Sequence, residues 1–253
     1  MRITLLGTGT SQGVPVIGCT CSVCQSRNSK DKRLRSSIMI ETQGKRIVVD
    51  TGPDFRQQML REKVDSLDAV VFTHEHKDHM AGLDDIRAFN FIQRKEMNVY
   101  ATREVQSALK RDFHYAFAKQ KYPGVPQIHL NLIDNEPFEI EGIKIIPIQV
   151  WHHKMPVLGF RIGDFTYITD ANRIDPEEFQ KIRGSKKLVI NALRKTDHIS
   201  HFTLDEAVDI ITELNADEAF ITHISHQMGK HEVVTEELPG HINLAYDGLA
   251  FQV

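Results

Sequence analysis

Much of what this sequence lacks is informative. No run approaches the ~18 apolar residues that a membrane-crossing helix needs, and no stretch is low in complexity. There is no basic surplus, because 31 Lys and Arg stand against 34 Asp and Glu for a formal net charge of −3. General polyanion binders carry a strong basic excess, so nucleic acid is not the expected partner. A small anionic substrate held by a few local cations remains compatible. Cysteine is scarce, with three residues in Cys19-Thr-Cys21-Ser-Val-Cys24. Cys19 and Cys21 are too close for a comfortable disulfide, and an odd, tight cluster suits a metal better than a bridge. The opening Met1-Arg-Ile-Thr-Leu-Leu-Gly7 alternates like a strand and meets glycine too early for a signal peptide, so the expected location is cytoplasmic, with no membrane partner.

Histidine is the residue in surplus, with 13 in 253 residues. The framework around it is a series of short apolar runs: Ile3–Leu6, Ile38–Ile40, Ile47–Val49, Ala69–Phe72, Ile143–Ile148, Phe160–Ile162, Thr166–Ile168, Leu188–Ile190, Ala219–Ile221 and Ala250–Val253. They are rich in β-branched residues and bounded by Gly, Asp, Asn and Pro, which predicts strands. Helical spacing occurs at about Phe55–Glu62, Asp84–Gln93, Glu104–Lys110 and Pro176–Ile182. The clearest helix is Leu204–Leu214, where Thr203 and Glu206 form a capping-box pattern. Strands in two batches, each mixed with helices, predict an α/β fold of two packed sheets with helices outside. That is a four-layer αββα sandwich, expected as one domain over 1–253. The segment Arg111–Gln127 mixes aromatics with Arg111, Lys119 and Lys121. It is compatible with a surface helix and turn, or with a lid over an anionic substrate.

The predicted strand Ala69-Val-Val-Phe-Thr73 stops at His74-Glu-His76-Lys-Asp78-His79. Four potential ligands in six residues would be costly to desolvate without a cation. Imidazole and carboxylate together suit Zn²⁺, Mn²⁺ or Fe²⁺.

Thr73-His-Glu-His-Lys-Asp-His-Met-Ala-Gly82 resembles the signature of the metallo-β-lactamase superfamily. The resemblance implies that His74 and His76 serve one ion, and Asp78 and His79 a second. It implies three further ligands at later strand ends. One is a histidine in Trp151-His152-His153-Lys154, where His152 is favoured over His153. The others are a bridging carboxylate at Asp170 and a histidine at His223. Asp50, in Val49-Asp50-Thr-Gly52, matches an aspartate that supports the ligand histidines from behind.

Three thiolates within six residues need a fourth ligand from elsewhere to hold a structural zinc. The candidate is His226, and the cysteine-rich zinc loop is expected at about 11–30. The cluster, His226 and Leu6-Gly-Thr-Gly-Thr-Ser-Gln-Gly-Val-Pro15 resemble the branch that contains phosphoribosyl 1,2-cyclic phosphate phosphodiesterase. The implied activity is a metal-dependent hydrolase acting on a small, cyclic or open phosphate diester through a hydroxide bridging two Mn²⁺ or Zn²⁺ ions. His201 and Asp78 are the candidate catalytic residues, with His201 as general acid. His198, Arg194 and Lys154 are candidates for shaping the pocket or contacting phosphate, against solvated roles for each. His114, His129, His231 and His241 are expected to be structural or exposed. Alternatives within the superfamily are an RNA-processing endonuclease, a carbonyl ester, thioester or lactone hydrolase, and a cofactor-biosynthesis protein. The resembling enzymes form dimers, which makes a homodimer the expected assembly.

Overall fold

The short β-branched runs become strands because both of their faces find cover. The computed structural model describes residues 1–253. Its first half supplies β1 (Arg2–Gly7), β2 (Ser37–Thr42), β3 (Lys45–Val49), β4 (Ala69–Val71), β5 (Met97–Ala101) and β6 (Ile128–Leu132). Between these strands come α1 (Phe55–Arg61), α2 (Lys77–Met80), α3 (Arg87–Gln93) and α4 (Arg103–Asp112). The second half supplies β7 (Phe138–Ile140), β8 (Ile143–His152), β9 (Met155–Ile162), β10 (Phe165–Tyr167), β11 (Arg173–Ile174), β12 (Lys187–Asn191), β13 (Glu218–Thr222) and β14 (Ile242–Leu244). Its helices are α5 (Pro176–Ile182), α6 (Leu204–Leu214) and α7 (His231–Glu237), and a last strand, β15 (Ala250–Gln252), returns to pair with β1.

The two sheets run β15-β1-β2-β3-β4-β5-β6 and β11-β8-β9-β10-β12-β13-β14, with β7 on β8. Alternation sorts their side chains into layers. Ile47 and Val49 face the middle layer with Phe160, Phe165 and Val189, where sheet meets sheet. Val48, between them, turns outward with Val70 and Phe72 onto Phe55, Phe89 and Leu109 of the flanking helices. On the far side, Leu188, Ile190 and Ile221 pack under Ala207 and Ile211 of α6 and Val234 of α7. The architecture is therefore the expected αββα sandwich. No helix is long and apolar enough to cross a membrane.

Several elements differ from the sequence expectation. β5, β6, β7, β11 and β14 arise where no strand is predicted, largely because their runs are short or broken by Asn, His or Glu and are ordered only by a neighbouring strand. The helix expected from Asp84 divides into a 3₁₀ turn, Leu83–Ile86, followed by α3. A further short helix, α2, lies inside the histidine motif itself. α6 has the predicted bounds, and its capping box is formed in both directions.

Turn chemistry and strand direction together set the functional edge. β2–β3 and β7–β8 are joined by two-residue turns, Gln43-Gly44 and Glu141-Gly142, with positive φ at both positions, as right-twisted hairpins require. The β8–β9 hairpin pairs His152 with Met155, leaving His153 and Lys154 as its turn. β3 to β6 run parallel, as do β10, β12, β13 and β14. Their carboxyl ends deliver Asp50, the His74–His79 turn, Asp170 and His223 to one edge of the sandwich, where open α/β sheets bind ligands. Asp50, Asp170 and His223 each take left-handed backbone there, at φ 65°, 55° and 56°. Such conformations are uncommon outside glycine and carry strain that the surrounding fold must hold in place.

Candidate metal centre

The centre is built outward from Asp50, which is fully buried behind the histidine turn. Asp50 Oδ1 accepts the Thr73 backbone N–H at 2.9 Å, and Oδ2 accepts the Thr73 hydroxyl at 2.8 Å. Oδ2 also accepts His79 Nδ1–H at 2.7 Å. With its proton committed to Asp50, the Thr73 oxygen accepts from His74 Nδ1 at 2.9 Å. Both imidazoles are thereby fixed in the tautomer whose Nε2 lone pair faces the centre. His74 Nε2 and His79 Nε2 are buried and make no hydrogen bond. Backbone contacts hold the turn from below. Thr51 N–H donates to His79 O and Gly82 N–H to Thr51 O, each at 2.8 Å. A Cβ on Gly52 would meet Asp78 O at 2.1 Å, and one on Gly82 would meet Gly52 O at 2.1 Å. Only glycines allow this approach.

Asp170 stands at the middle. His74, His79 and Asp170 form one group of converging ligand atoms; His152, Asp170 and His201 form another; Asp78, Asp170 and His223 form a third. Asp170 is the residue common to all three. Its Oδ2 lies 3.1 Å from His79 Nε2 and 3.2 Å from His223 Nδ1. His79 Nε2 is also 3.2 Å from Asp78 Oδ2. His152 donates Nδ1–H to Ser200 O at 2.8 Å, which leaves Nε2 free to accept. His153 instead sits exposed in the hairpin turn with its backbone N–H on Asn172. His76 joins none of the tight groups, although its ring lies 4.7 Å from that of His74 and 5.2 Å from that of His152. His201 lies 4.6 Å ring to ring from His152 and 4.8 Å from His223.

The electrostatics suit a bound cation. Burial works against the Asp170 carboxylate, yet His223 and His79 hold its pKa well below the usual range. Burial likewise opposes a charge on His79, but Asp170, Asp50 and Asp78 raise its pKa well above that of an ordinary histidine. The three carboxylates thus favour positive charge beside His79 Nε2, which a metal ion would supply. Burial lowers the pKa of His74, His76 and His223, so they stand neutral as ligands must. Burial, with help from His223, pushes His201 down to about 2.

The second cluster is equally compact. Cys19, Cys21 and Cys24 Sγ lie 3.2, 3.4 and 3.5 Å from His226 Nδ1. A tetrahedral ion with sulfur bonds of ~2.3 Å and nitrogen bonds of ~2.0 Å separates those atoms by about 3.5 Å. The Cys24 N–H donates to Cys21 Sγ at 3.4 Å and helps bring Cys21 down to about 6. Burial raises Cys24 to about 11.

Other candidates fall differently. Arg194 is tied to its own loop, donating to Thr196 O at 3.1 Å and to Gln227 Oε1 at 2.8 Å. Lys154 is exposed in the β8–β9 turn. His231 is buried at the start of α7, away from the centre. Arg111–Gln127 completes α4 and makes one 3₁₀ turn, with the Tyr115 hydroxyl on Asp84 and the Gln127 N–H on Asn90. Residues the sequence reading did not single out include Ser36, 3.2 Å from His223 Nδ1, and Thr10, 3.2 Å from His223 Nε2. Asn191 was another: its side chain makes two hydrogen bonds to Ala171 that brace the Asp170 turn. Only Asn191, the polar end of the otherwise apolar β12, carried a signal in the sequence.

With this geometry in view, residues 45–224 match the profile of the Beta-lactamase superfamily domain. The chain belongs to the metallo-β-lactamase superfamily. A crystal structure of a diphosphatase from the PhnP family aligns at a TM-score of 0.93 and 40% identity, over 99% of this chain and 97% of that one. Zn²⁺-bound PqqB from Methylobacterium extorquens shares the superfamily fold at a TM-score of 0.82 and 19% identity, each chain covered in full. Among sequence relatives, the octanoyltransferase of Porphyromonas gingivalis is 42% identical over 98% of this chain and 51% of its own length. Ribonuclease Z of Nanoarchaeum equitans is 27% identical over 67% of this chain and 52% of its own. The chain thus spans about half the length of both relatives.

Proposed function

We propose that this superfamily member is a dinuclear phosphodiesterase acting on a small phosphate ester. The observation that carries the reading is the sharing of Asp170 by three convergent groups of ligand atoms, as a carboxylate between two ions requires. His74, His76 and His152 would hold one divalent ion, Asp78, His79 and His223 the other, and Asp170 both. Mn²⁺ and Zn²⁺ are the candidate ions, and Cys19, Cys21, Cys24 and His226 would hold a structural zinc. The 40% identity to a diphosphatase supports phosphorus over carbonyl carbon as the centre attacked.

When bound, the two ions supply Lewis acidity to the phosphoryl oxygens and acidify water for attack. The protein does the rest. Asp50, through Thr73 and His79, keeps the ligand imidazoles in their accepting tautomer. Asp78 helps to fix His79 and lies beside the reacting centre. His201, ring to ring with His152 and His223, is the group positioned to protonate the leaving oxygen. At rest it is neutral. An anionic ester set against it favours the imidazolium form that can donate.

The assay is hydrolysis of ribose cyclic phosphates and open diesters by Mn²⁺- or Zn²⁺-loaded protein, with Asp170→Ala alongside. Diester turnover that Asp170→Ala abolishes is the expected result. Metal-loaded protein that leaves every diester intact would sink the reading. The octanoyltransferase similarity favours including an octanoyl thioester, although that name belongs to a protein twice as long. Thioester cleavage in place of diester cleavage would transfer the proposal to acyl chemistry.

A further inference from the structure

A cavity of about 390 Å³ opens beside His74, bounded by the ends of β5 and β6, the start of α4 and the first residues of β9. That volume has room for a substituent of a small substrate. His74, one of its lining residues, is 1% exposed, and its Nε2 has no hydrogen-bond partner and faces the metal centre. A substituent of an ester held at the metals can therefore reach the cavity. The lining does not include His201. The group that enters is thus the retained alcohol, not the one His201 would protonate.

The cavity is apolar below and negative around its mouth. Buried Val105, Ile133 and Leu158 form its floor, while Glu75, Glu104 and Asp134 stand against a single cation, Arg103. Acids close by are paired: Asp84 with Arg87, Asp112 with Lys77 and Arg111, and Glu178 with Lys181. Glu75 and Glu104 have no such partner, and Asp134 commits one oxygen to the Glu136 N–H. Arg103 is also free of any ion pair, but one guanidinium cannot balance three carboxylates. The cavity lined by Thr10, Arg194 and His226 holds no carboxylate, so the two sides of the metal centre differ in charge.

Carboxylates accept hydrogen bonds and donate none, so a ligand here must bring donors. A further anion would be repelled. An ammonium brings three donors and the opposite charge. Its methylene stem would lie along the apolar floor, as a lysine stem covers apolar surface.

We propose that this cavity selects diesters whose retained alcohol carries an aliphatic ammonium group. The inference rests on the phosphodiesterase reading and names a substrate class for it.

Matched p-nitrophenyl diesters test it: ω-aminoalkyl esters with stems of about two to six carbons, near the length of a lysine stem, each beside its alkyl and ω-hydroxyalkyl counterparts. With metal-loaded protein, the best aminoalkyl ester should exceed its alkyl counterpart roughly ten-fold in kcat/KM, mainly through KM. Glu104→Gln combined with Asp134→Asn removes two charges from exposed positions outside the metal ligands. It should raise KM for that ester roughly five-fold and leave KM for the alkyl ester unchanged. Calorimetry with the matching aminoalkyl and alkyl phosphates reads binding without turnover. The aminoalkyl phosphate should bind more tightly, and the double substitution should erase most of the difference. No gain for any aminoalkyl ester, or a hydroxyalkyl ester that does as well, would overturn the ammonium site and leave the phosphodiesterase standing. A preference that survives the double substitution would place the selection outside this cavity and overturn it too. No turnover of any diester, with tighter aminoalkyl phosphate binding that the double substitution weakens, would overturn the reaction but not the site. No turnover and equal binding would overturn both.

Discussion

Thr73 and Asp50 are joined twice, by backbone N–H and by hydroxyl, at 2.9 and 2.8 Å. Through that pair one buried carboxylate orients two histidines, because the hydroxyl relays to His74 while the carboxylate itself takes His79. Asp50→Asn removes the charge but little volume. It should weaken metal binding ten- to hundred-fold, measured by competition titration with a chelating dye. Unchanged affinity would mean that the relay does not tune the ligands.

His201 and the metals can be separated by the leaving group. Against an alkyl ester, His201→Ala should lose roughly 10²-fold or more in kcat. Against bis(p-nitrophenyl) phosphate, whose leaving group needs no proton, the loss should be slight. Because His201 converges with His152 and Asp170, metal content is the control. A variant that loses an equivalent of metal would make His201 a ligand.

Cys24→Ser should cost one equivalent of zinc per chain by elemental analysis and lower the melting temperature, with the Asp170-centred ions retained. An unchanged zinc count would remove the structural site from consideration. The physical basis is the convergence of three sulfurs on His226 Nδ1.

Gly52→Ala should be as damaging as a ligand substitution. The added methyl would meet Asp78 O at 2.1 Å, so the metal-binding turn must move. The expectation is a loss of about 1–3 kcal/mol in stability, read from urea unfolding, and weaker metal binding. Full metal occupancy would show that the turn can yield.

His231 should make stability sensitive to mild acid. Burial, then the nearby Arg33 and Lys30, push its pKa down to about 4, against the pull of Asp31. Folding therefore favours the neutral ring. Its contribution is complete above pH 6.5 and is lost as the pH falls toward 4. Wild type should lose more urea stability than His231→Leu between pH 7.5 and pH 5, by up to roughly 1 kcal/mol per pH unit in that window. Parallel losses would remove His231 as a cause.

The order of the chain by itself determined a good deal. The strand run ending in His74-Glu-His-Lys-Asp-His79 marked a candidate ligand cluster by its chemistry, and the family resemblance added Asp170 and His223 at later strand ends. The pattern of apolar runs was enough for a layered α/β sandwich. Tertiary structure decided what depends on distant segments meeting. β5, β6 and β14 are strands because a neighbour completes their hydrogen bonds. The two-residue β8–β9 turn puts His152 toward the centre and His153 into solvent, a choice that two adjacent histidines cannot make from their own sequence. Arg111–Gln127 gains its contacts to Asp84 and Asn90 only when the chain folds back on itself. The cavity between Thr10, Arg194 and His226 joins residues from opposite ends of the chain. Local sequence encodes periodicity and chemistry, but the packing of two sheets determines which chemistries share a space.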